Sequence, residues 1–295
     1  MSGARFDPER VLSGESGIVE GPRRRLAGRL RDVADDLAAW MRLEPLRVAA
    51  AARSAPRRRI HVVGVYAPDG ARNMAGSVAE LRRSRHDLTI ALGALGPPTA
   101  PLAPETRLEG LAGQGKFENL NALLAAAPPR DADWVIALDD DAELPRGFLD
   151  RFILCAERFG LQLAQPALRH TSHAAWSVVR RARWSVARRT RLVEIGPVTA
   201  FHRSVAHELL PFPALRMGWG LDAHWGGLAL ERGWRLGVVD ATPVHHQARR
   251  TASGYDREAA VAELADFLRD RPHVERPTAL EVVERYRSLQ APPDI

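Results

Sequence analysis

The sequence predicts an α/β domain with a mostly parallel central sheet flanked by helices. Three observations predict it. Arg59–Tyr66 is an apolar run with the length of a buried strand. A polar turn, a helix-compatible segment over 73–85 and a second apolar run at Asp87–Leu92 follow within about 30 residues, the spacing of a βαβ unit. A third run, Trp134–Leu138, ends in Asp139-Asp140-Asp141, at the strand end where open α/β sheets bind their ligands.

In chain order, residues 1–22 are rich in Gly, Ser and charge and read as a mobile lead-in. From Arg23 to about Ala52, Leu26, Leu30, Val33, Leu37, Trp40 and Met41 recur at three- and four-residue steps, predicting one amphipathic helix with arginines at its start. Packing of its apolar face on the main domain is favoured over a membrane or partner contact. Ser54-Ala55-Pro56 breaks this helix. After the second strand come a proline-rich loop at 96–104, a helix over Lys116–Ala127 closed by Pro128-Pro129, and the strand before the triplet. Further strands are expected at 161–164, 193–201 and 236–239, and helices at 147–159, 221–232, 257–269 and 278–289. The organisation is a lead-in and amphipathic helix over 1–55, the main domain over 56–250 and a helical extension over 251–295.

Composition narrows the function classes. Hydrophobic residues make up 45% and charged residues 26% of the 295, which excludes a disordered chain or a fibre. Cys155 is the only cysteine, so neither an intrachain disulfide nor a Cys-based zinc cluster can form. With no apolar signal segment and no run of about 20 apolar residues, a cytoplasmic protein is expected. All but one of the 42 basic residues are arginine, and the net charge is +6. That usage, with abundant alanine, argues against a dedicated nucleic-acid surface. The short basic runs fit peripheral contact with the inner face of an anionic membrane better.

Four segments could carry chemistry. The adjacent carboxylates of Asp139, Asp140 and Asp141 repel one another unless a cation or solvent relieves them, and few hard oxygens suit Mg2+ or Mn2+ bridged to a diphosphate. The alternative is a solvated acidic turn leading into a helix. Gly113-Gln-Gly115-Lys116 at a helix start could present N–H groups and one cation to a phosphate, although no Ser or Thr follows to make it a Walker loop. In Met217-Gly-Trp219-Gly-Leu-Asp222, Trp219 could stack on a sugar face and Asp222 could serve as a general base. An ordinary turn with Trp219 in the core and Asp222 capping a helix reads equally well. Last, in Val238-Val-Asp-Ala-Thr-Pro-Val-His245-His246 a strand ends in a proline and two histidines follow; one of them could add a nitrogen ligand to the carboxylates, whereas paired surface histidines without a metal are the commoner case.

The order of these elements resembles the GT-A-fold glycosyltransferases, the nucleotide-sugar-dependent, DxD-containing family with inverting members, over about residues 58–250. The resemblance implies a GT-A-like nucleotide-binding fold. The triplet then stands at the DxD position, with Asp139 near the nucleotide, Asp141 the principal metal ligand and Asp140 between them. Val65, Tyr66 and Ala67 correspond to the strand end that cradles the nucleoside, and Gly115 and Lys116 to the family's Gly-Lys segment. Asp222 corresponds to the catalytic base and His246, rather than His245, to a late metal ligand. The implied cofactor is Mn2+ or Mg2+, and the implied partner a nucleotide-diphosphate sugar donor. The acceptor stays open between a glycan, a lipid-linked group and a small molecule. The turn Tyr66-Ala67-Pro68-Asp69 lacks the family's usual Asn-Arg, and segment 180–191 is unusually arginine-rich, which suggests either a solvated face or an acceptor- or diphosphate-binding lid. Lys116 or one of Arg180, Arg181, Arg188 and Arg189 could supply a second positive charge to the leaving diphosphate. Two rival readings are nucleotidyl transfer to a sugar phosphate and a non-catalytic arginine-rich module for polyanions.

Overall fold

A computed structural model describes residues 6–13, 21–247 and 256–290. Two helices lead into the sheet, α1 (Pro22–Met41) and α2 (Glu44–Ser54). Then follow β1 (Arg59–Tyr66), α3 (Ala71–Leu81), β2 (Asp87–Ala94), β3 (Thr106–Leu108), α4 (Lys116–Ala126), β4 (Trp134–Asp139), β5 (Ala142–Glu143), α5 (Phe148–Arg158) and β6 (Leu163–Leu168). The second half adds β7 (Ala187–Thr190), β8 (Val198–His202), α6 (Arg203–Leu209), α7 (Leu221–Arg232), β9 (Leu236–His246), α8 (Arg257–Leu268), α9 (Arg276–Ala279) and β10 (Val282–Tyr286).

The sheet runs in the order β10-β7-β9-β6-β8-β4-β1-β2-β3, with β5 paired to the end of β9. The pairings β1–β2, β1–β4, β2–β3 and β6–β9 are parallel, and β8 inserts antiparallel between β4 and β6. Because β10 is antiparallel to β7 and β7 to β9, only β7, β8 and the short β5 run against the common direction. The centre is parallel and covered on both faces, which is why β1 and β4 are almost continuously apolar: Ile60, Val62, Val63, Trp134, Val135, Ile136 and Leu138 are all buried. Helix α4 packs over β1, β2 and β3, α5 packs on β9, and α2 packs on α5.

Several expectations change. The helix over 23–52 is broken at Leu43, whose positive φ of 51° starts α2. Its apolar stripe faces outward. Leu26, Leu30, Val33, Leu37, Trp40 and Met41 are each more than half exposed, whereas Gly28, Asp32, Asp35, Ala38 and Ala39 form the buried face. The reason is polar docking. Asp32 accepts the backbone N–H of His170 at 2.8 Å and the Thr171 hydroxyl at 2.9 Å, and Asp35 contacts His170 Nε2 at 3.0 Å and Arg183 at 2.6 Å.

The C-terminal stretch is not wholly helical, because 282–286 forms β10 and extends the sheet beyond β7. Part of the lead-in is docked rather than mobile. Val11 is buried, and Arg10 and Arg276 tie residues 9–12 to α9 and its N-cap. The rest of that lead-in, and the ends of the expected extension at 251–255 and 291–295, lie outside the described residues. The strand expected from 193 begins only at Val198.

Candidate active site at the strand ends

The parallel register sets the end of β4 beside the end of β1, with Val65 opposite Asp139. From there the three aspartates separate, and each meets a different partner. Asp139 takes Lys116 Nζ between its two oxygens at 2.7 and 2.8 Å, and Lys116 also donates to the Ile195 carbonyl at 2.9 Å. Burial raises the Asp139 carboxyl above its usual range; Lys116 pulls it back and Asp141 adds to the rise. Asp140 Oδ2 accepts the Ala67 N–H at 2.9 Å, and Asn73 donates to the carbonyls of Asp140 and Ala142, so α3 fixes the turn. Asp141 meets His246.

The short β5 makes that last meeting. Its antiparallel pairing sets Ala142 opposite His246 and Glu143 opposite His245, and Gln247 N–H closes on the Asp141 carbonyl at 2.9 Å. His246 Nε2 lies 3.2 Å from Asp141 Oδ2. Its other nitrogen, Nδ1, lies 3.2 Å from the His173 carbonyl. A carbonyl can only accept, so Nδ1 donates to it, and Nε2 donates to Asp141 when protonated and offers its lone pair on the same side when not. That is the arrangement of a metal-ligating histidine held by a carbonyl behind it. Burial opposes charge on His246, but Asp141, Asp139 and Glu194 outweigh it and raise its pKa.

The donor set therefore fits a hard divalent cation. Two neighbouring ligands on an octahedral ion stand about 3 Å apart, given bonds of about 2.1 Å. Among the described residues no cluster of three or more His, Cys, Asp or Glu side chains forms a closed cage. Two protein ligands suit an ion completed by water and a diphosphate.

Asp222 sits in the first turn of α7 and accepts the indole N–H of Trp176 at 2.8 Å on Oδ2. Burial raises its pKa against these hydrogen bonds. The same Trp176 donates its backbone N–H to Glu194 at 2.6 Å. Glu194 is buried, and burial pushes its carboxyl up to about 8. One loop, 173–176, thus holds His246 through its first residue and Asp222 through its last. A cavity of about 590 Å³ is lined by His173, His245 and Gln247, beside His246, but not by Asp222.

Other expected site residues serve the scaffold. The Tyr66 ring is buried in the core and its hydroxyl meets Thr106 Oγ1 at 3.0 Å, leaving half-buried Val65 and Ala67 as the accessible strand end. The Gly115 N–H is taken by the Glu118 carboxylate, and a Cβ there would stand 2.1 Å from the Arg216 carbonyl, so this glycine serves packing. Trp219 is half-buried against the core. Its turn is braced by Glu263, which accepts the N–H groups of Arg216, Met217 and Gly218.

The arginine-rich segment is no lid. Arg188 lies on β7 in a buried ion pair with Asp240, at 2.9 and 3.0 Å, and two more of its N–H groups go to the carbonyls of Val178 and Arg180. Arg181 binds Asp36, and Arg180 spans the carbonyls of His170 and Ser172. Sequence patterning misses Trp176, Glu194, His173 and Asn73, because each acts through the fold and none belongs to a spaced motif.

No family model and no curated protein matches this chain. Solved structures do. The mannosyltransferase PcManGT from Pyrobaculum calidifontis, in complex with GDP-Man and Mn2+, is 17% identical with a TM-score of 0.52, covering 88% of this chain and 79% of its own. S. aureus TarS 1–349 in complex with UDP-GlcNAc is 10% identical with a TM-score of 0.52, over 74% and 68%. GalNAc-T7 with UDP, GalNAc and Mn2+ is 13% identical with a TM-score of 0.50, over 66% of this chain but only 45% of its own. This chain has the GT-A glycosyltransferase fold.

Proposed function

We propose that this protein transfers a sugar from a nucleotide-diphosphate sugar to an acceptor hydroxyl, with a divalent cation and with inversion at the anomeric carbon. The observation that carries the proposal is the Asp141–His246 pair. It lies at the C-terminal ends of β4 and β9, with His246 Nε2 facing the Asp141 carboxylate at 3.2 Å and Nδ1 held by the His173 carbonyl. Asp141 and His246 would hold the Mn2+ or Mg2+. That ion would supply positive charge against the negative charge developing on the leaving diphosphate.

The chain's own residues do the rest. Val65 and Ala67 border the nucleoside at the β1 end, with Asp139 and Asp140 beside them. Lys116, held by Asp139, contributes a second positive charge to the diphosphate side. Trp219 offers an apolar wall to the sugar. Asp222 accepts the proton of the attacking hydroxyl; the Trp176 indole fixes the carboxylate's direction, and burial makes it a stronger base than an exposed aspartate.

The test is a melting-temperature panel of UDP-, GDP- and dTDP-sugars with and without Mn2+. A ligand at about 100 times its Kd stabilises the native state by about 2.7 kcal/mol. One donor class is expected to raise the melting temperature only when Mn2+ is present, and Asp141→Ala to abolish that gain. Stabilisation that persists unchanged in Asp141→Ala, or its absence with every donor, would overturn the assignment.

A further inference from the structure

Among the described residues, none covers the outward stripe of α1. Leu26, Leu30, Val33, Leu37, Trp40 and Met41 are 54–73% exposed, along about 22 Å of helix. At about 100° per residue they occupy one face, opposite the buried Asp32 and Asp35, with Arg23 and Arg29 about 60° to either side. Exposed Leu43 and Leu46 follow directly. Every exposed charge on the first half of the helix is positive (Arg23, Arg24, Arg25, Arg29 and Arg31). The helix's acidic residues are all turned to the body: Asp32 and Asp35 are buried, and Asp36 is taken by Arg169 and Arg181. Among the described residues, no helix is long and apolar enough to cross a membrane.

We propose that α1 is a membrane-docking helix. It lies in the plane of an anionic bilayer, with the Leu26–Met41 stripe in the acyl boundary and the flanking arginines on lipid phosphates. Charge chooses this occupant over a second copy of the chain. Two such stripes face to face would leave both arginine sets without an acidic counterpart, because the helix's own aspartates are used in docking. An anionic bilayer supplies apolar depth and negative charge together, and Trp40 at the end of the stripe is the residue type that settles at that interface.

Docking here also sets the candidate centre beside the membrane. The cavity described above is walled on the α1 side by Arg25 and Arg29, with Arg169 near them, and on the other by His173, His245 and Gln247. An acceptor bearing a phosphate or another anionic head group could thus reach the strand ends from the bilayer surface.

The experiment is co-sedimentation of the full chain with vesicles, without metal or nucleotide sugar, so a negative result leaves the glycosyl-transfer reading standing. Vesicles of phosphatidylcholine with a third phosphatidylglycerol are compared with pure phosphatidylcholine, at low and high salt. Binding is expected only to the anionic vesicles. It should weaken at high salt, fall by about thirtyfold in Arg23→Gln/Arg29→Gln, and disappear in Leu30→Glu/Leu37→Glu. Trp40 emission, read as the difference from Trp40→Phe, should shift to the blue on binding. All these side chains are exposed, so each variant should melt like the wild type, which separates lost docking from lost folding. Absence of binding to anionic vesicles overturns the proposal, as does binding that survives Leu30→Glu/Leu37→Glu. A dimer in solution that Leu30→Glu/Leu37→Glu dissolves would assign the stripe to a second copy and overturn it equally.

Discussion

Replacing Glu194 with glutamine should make this protein more stable at neutral pH and leave it unchanged in acid. Burial moves the Glu194 carboxyl from about 4.5 to about 8, because the enclosed site has no full counter-charge for the anion. The folded state therefore binds this proton more tightly than the unfolded chain does. Stability contributed by the group is fully present below pH 4.5 and is lost as pH rises from there through 8. Each pH unit in that window costs about 1.4 kcal/mol, or about 3 kcal/mol by pH 7. Glutamine keeps the shape and can still accept the Trp176 N–H, which Glu194 Oε1 accepts at 2.6 Å, but it never ionises. For a chain of this length about 3 kcal/mol corresponds to about 5 °C in melting temperature. Chemical denaturation at pH 5, 6, 7 and 8, with EDTA present, should show Glu194→Gln equal to wild type at the acid end and progressively more stable above it. A variant equally destabilised at every pH would refute the reasoning, since Glu194 would then be an ionised partner whose charge the fold needs.

Three further outcomes follow from other parts of the structure. Asp240→Asn strips the charge partner from buried Arg188 and should cost about 3–5 kcal/mol, read as a lower denaturation midpoint with an unchanged m-value. Gly218→Ala should destabilise by more than the roughly 1–2 kcal/mol of a left-handed residue, because φ is +77° and the new Cβ would stand 1.9 Å from Phe117; calorimetry measures it. Asp222→Asn should leave the Mn2+-dependent donor stabilisation intact while lowering turnover by about 10²–10⁴-fold, the usual contribution of a general base, in a sugar-transfer assay with the donor that the melting panel identifies.

The linear sequence determined a good deal of this protein. Two-sided burial writes itself as unbroken apolar runs, so β1 and β4 were legible, and with them the place of the aspartate triplet at a strand end. Helices α4, α5, α7 and α8 were equally legible, since glycine, proline or a capping aspartate punctuates each start. The alternation that marks a strand was absent from Ala187-Arg-Arg-Thr190, because Arg188 is turned inward to Asp240, a partner 52 positions away. β10 was hidden for a related reason: it is an edge strand, so most of its residues stay exposed and no buried-strand pattern appears.

Tertiary structure decided the rest. Periodicity showed that α1 has two unlike faces, but not which one the body would take. That choice fell to Asp32, Asp35 and Asp36, whose partners at 169–171 and 181–183 lie more than 130 residues further along the chain. The triplet likewise looked like one acidic cluster. Only the closing of β5 on β9 separated its members and brought Asp141 to His246, because a two-residue pairing between segments a hundred positions apart leaves no mark on either segment alone.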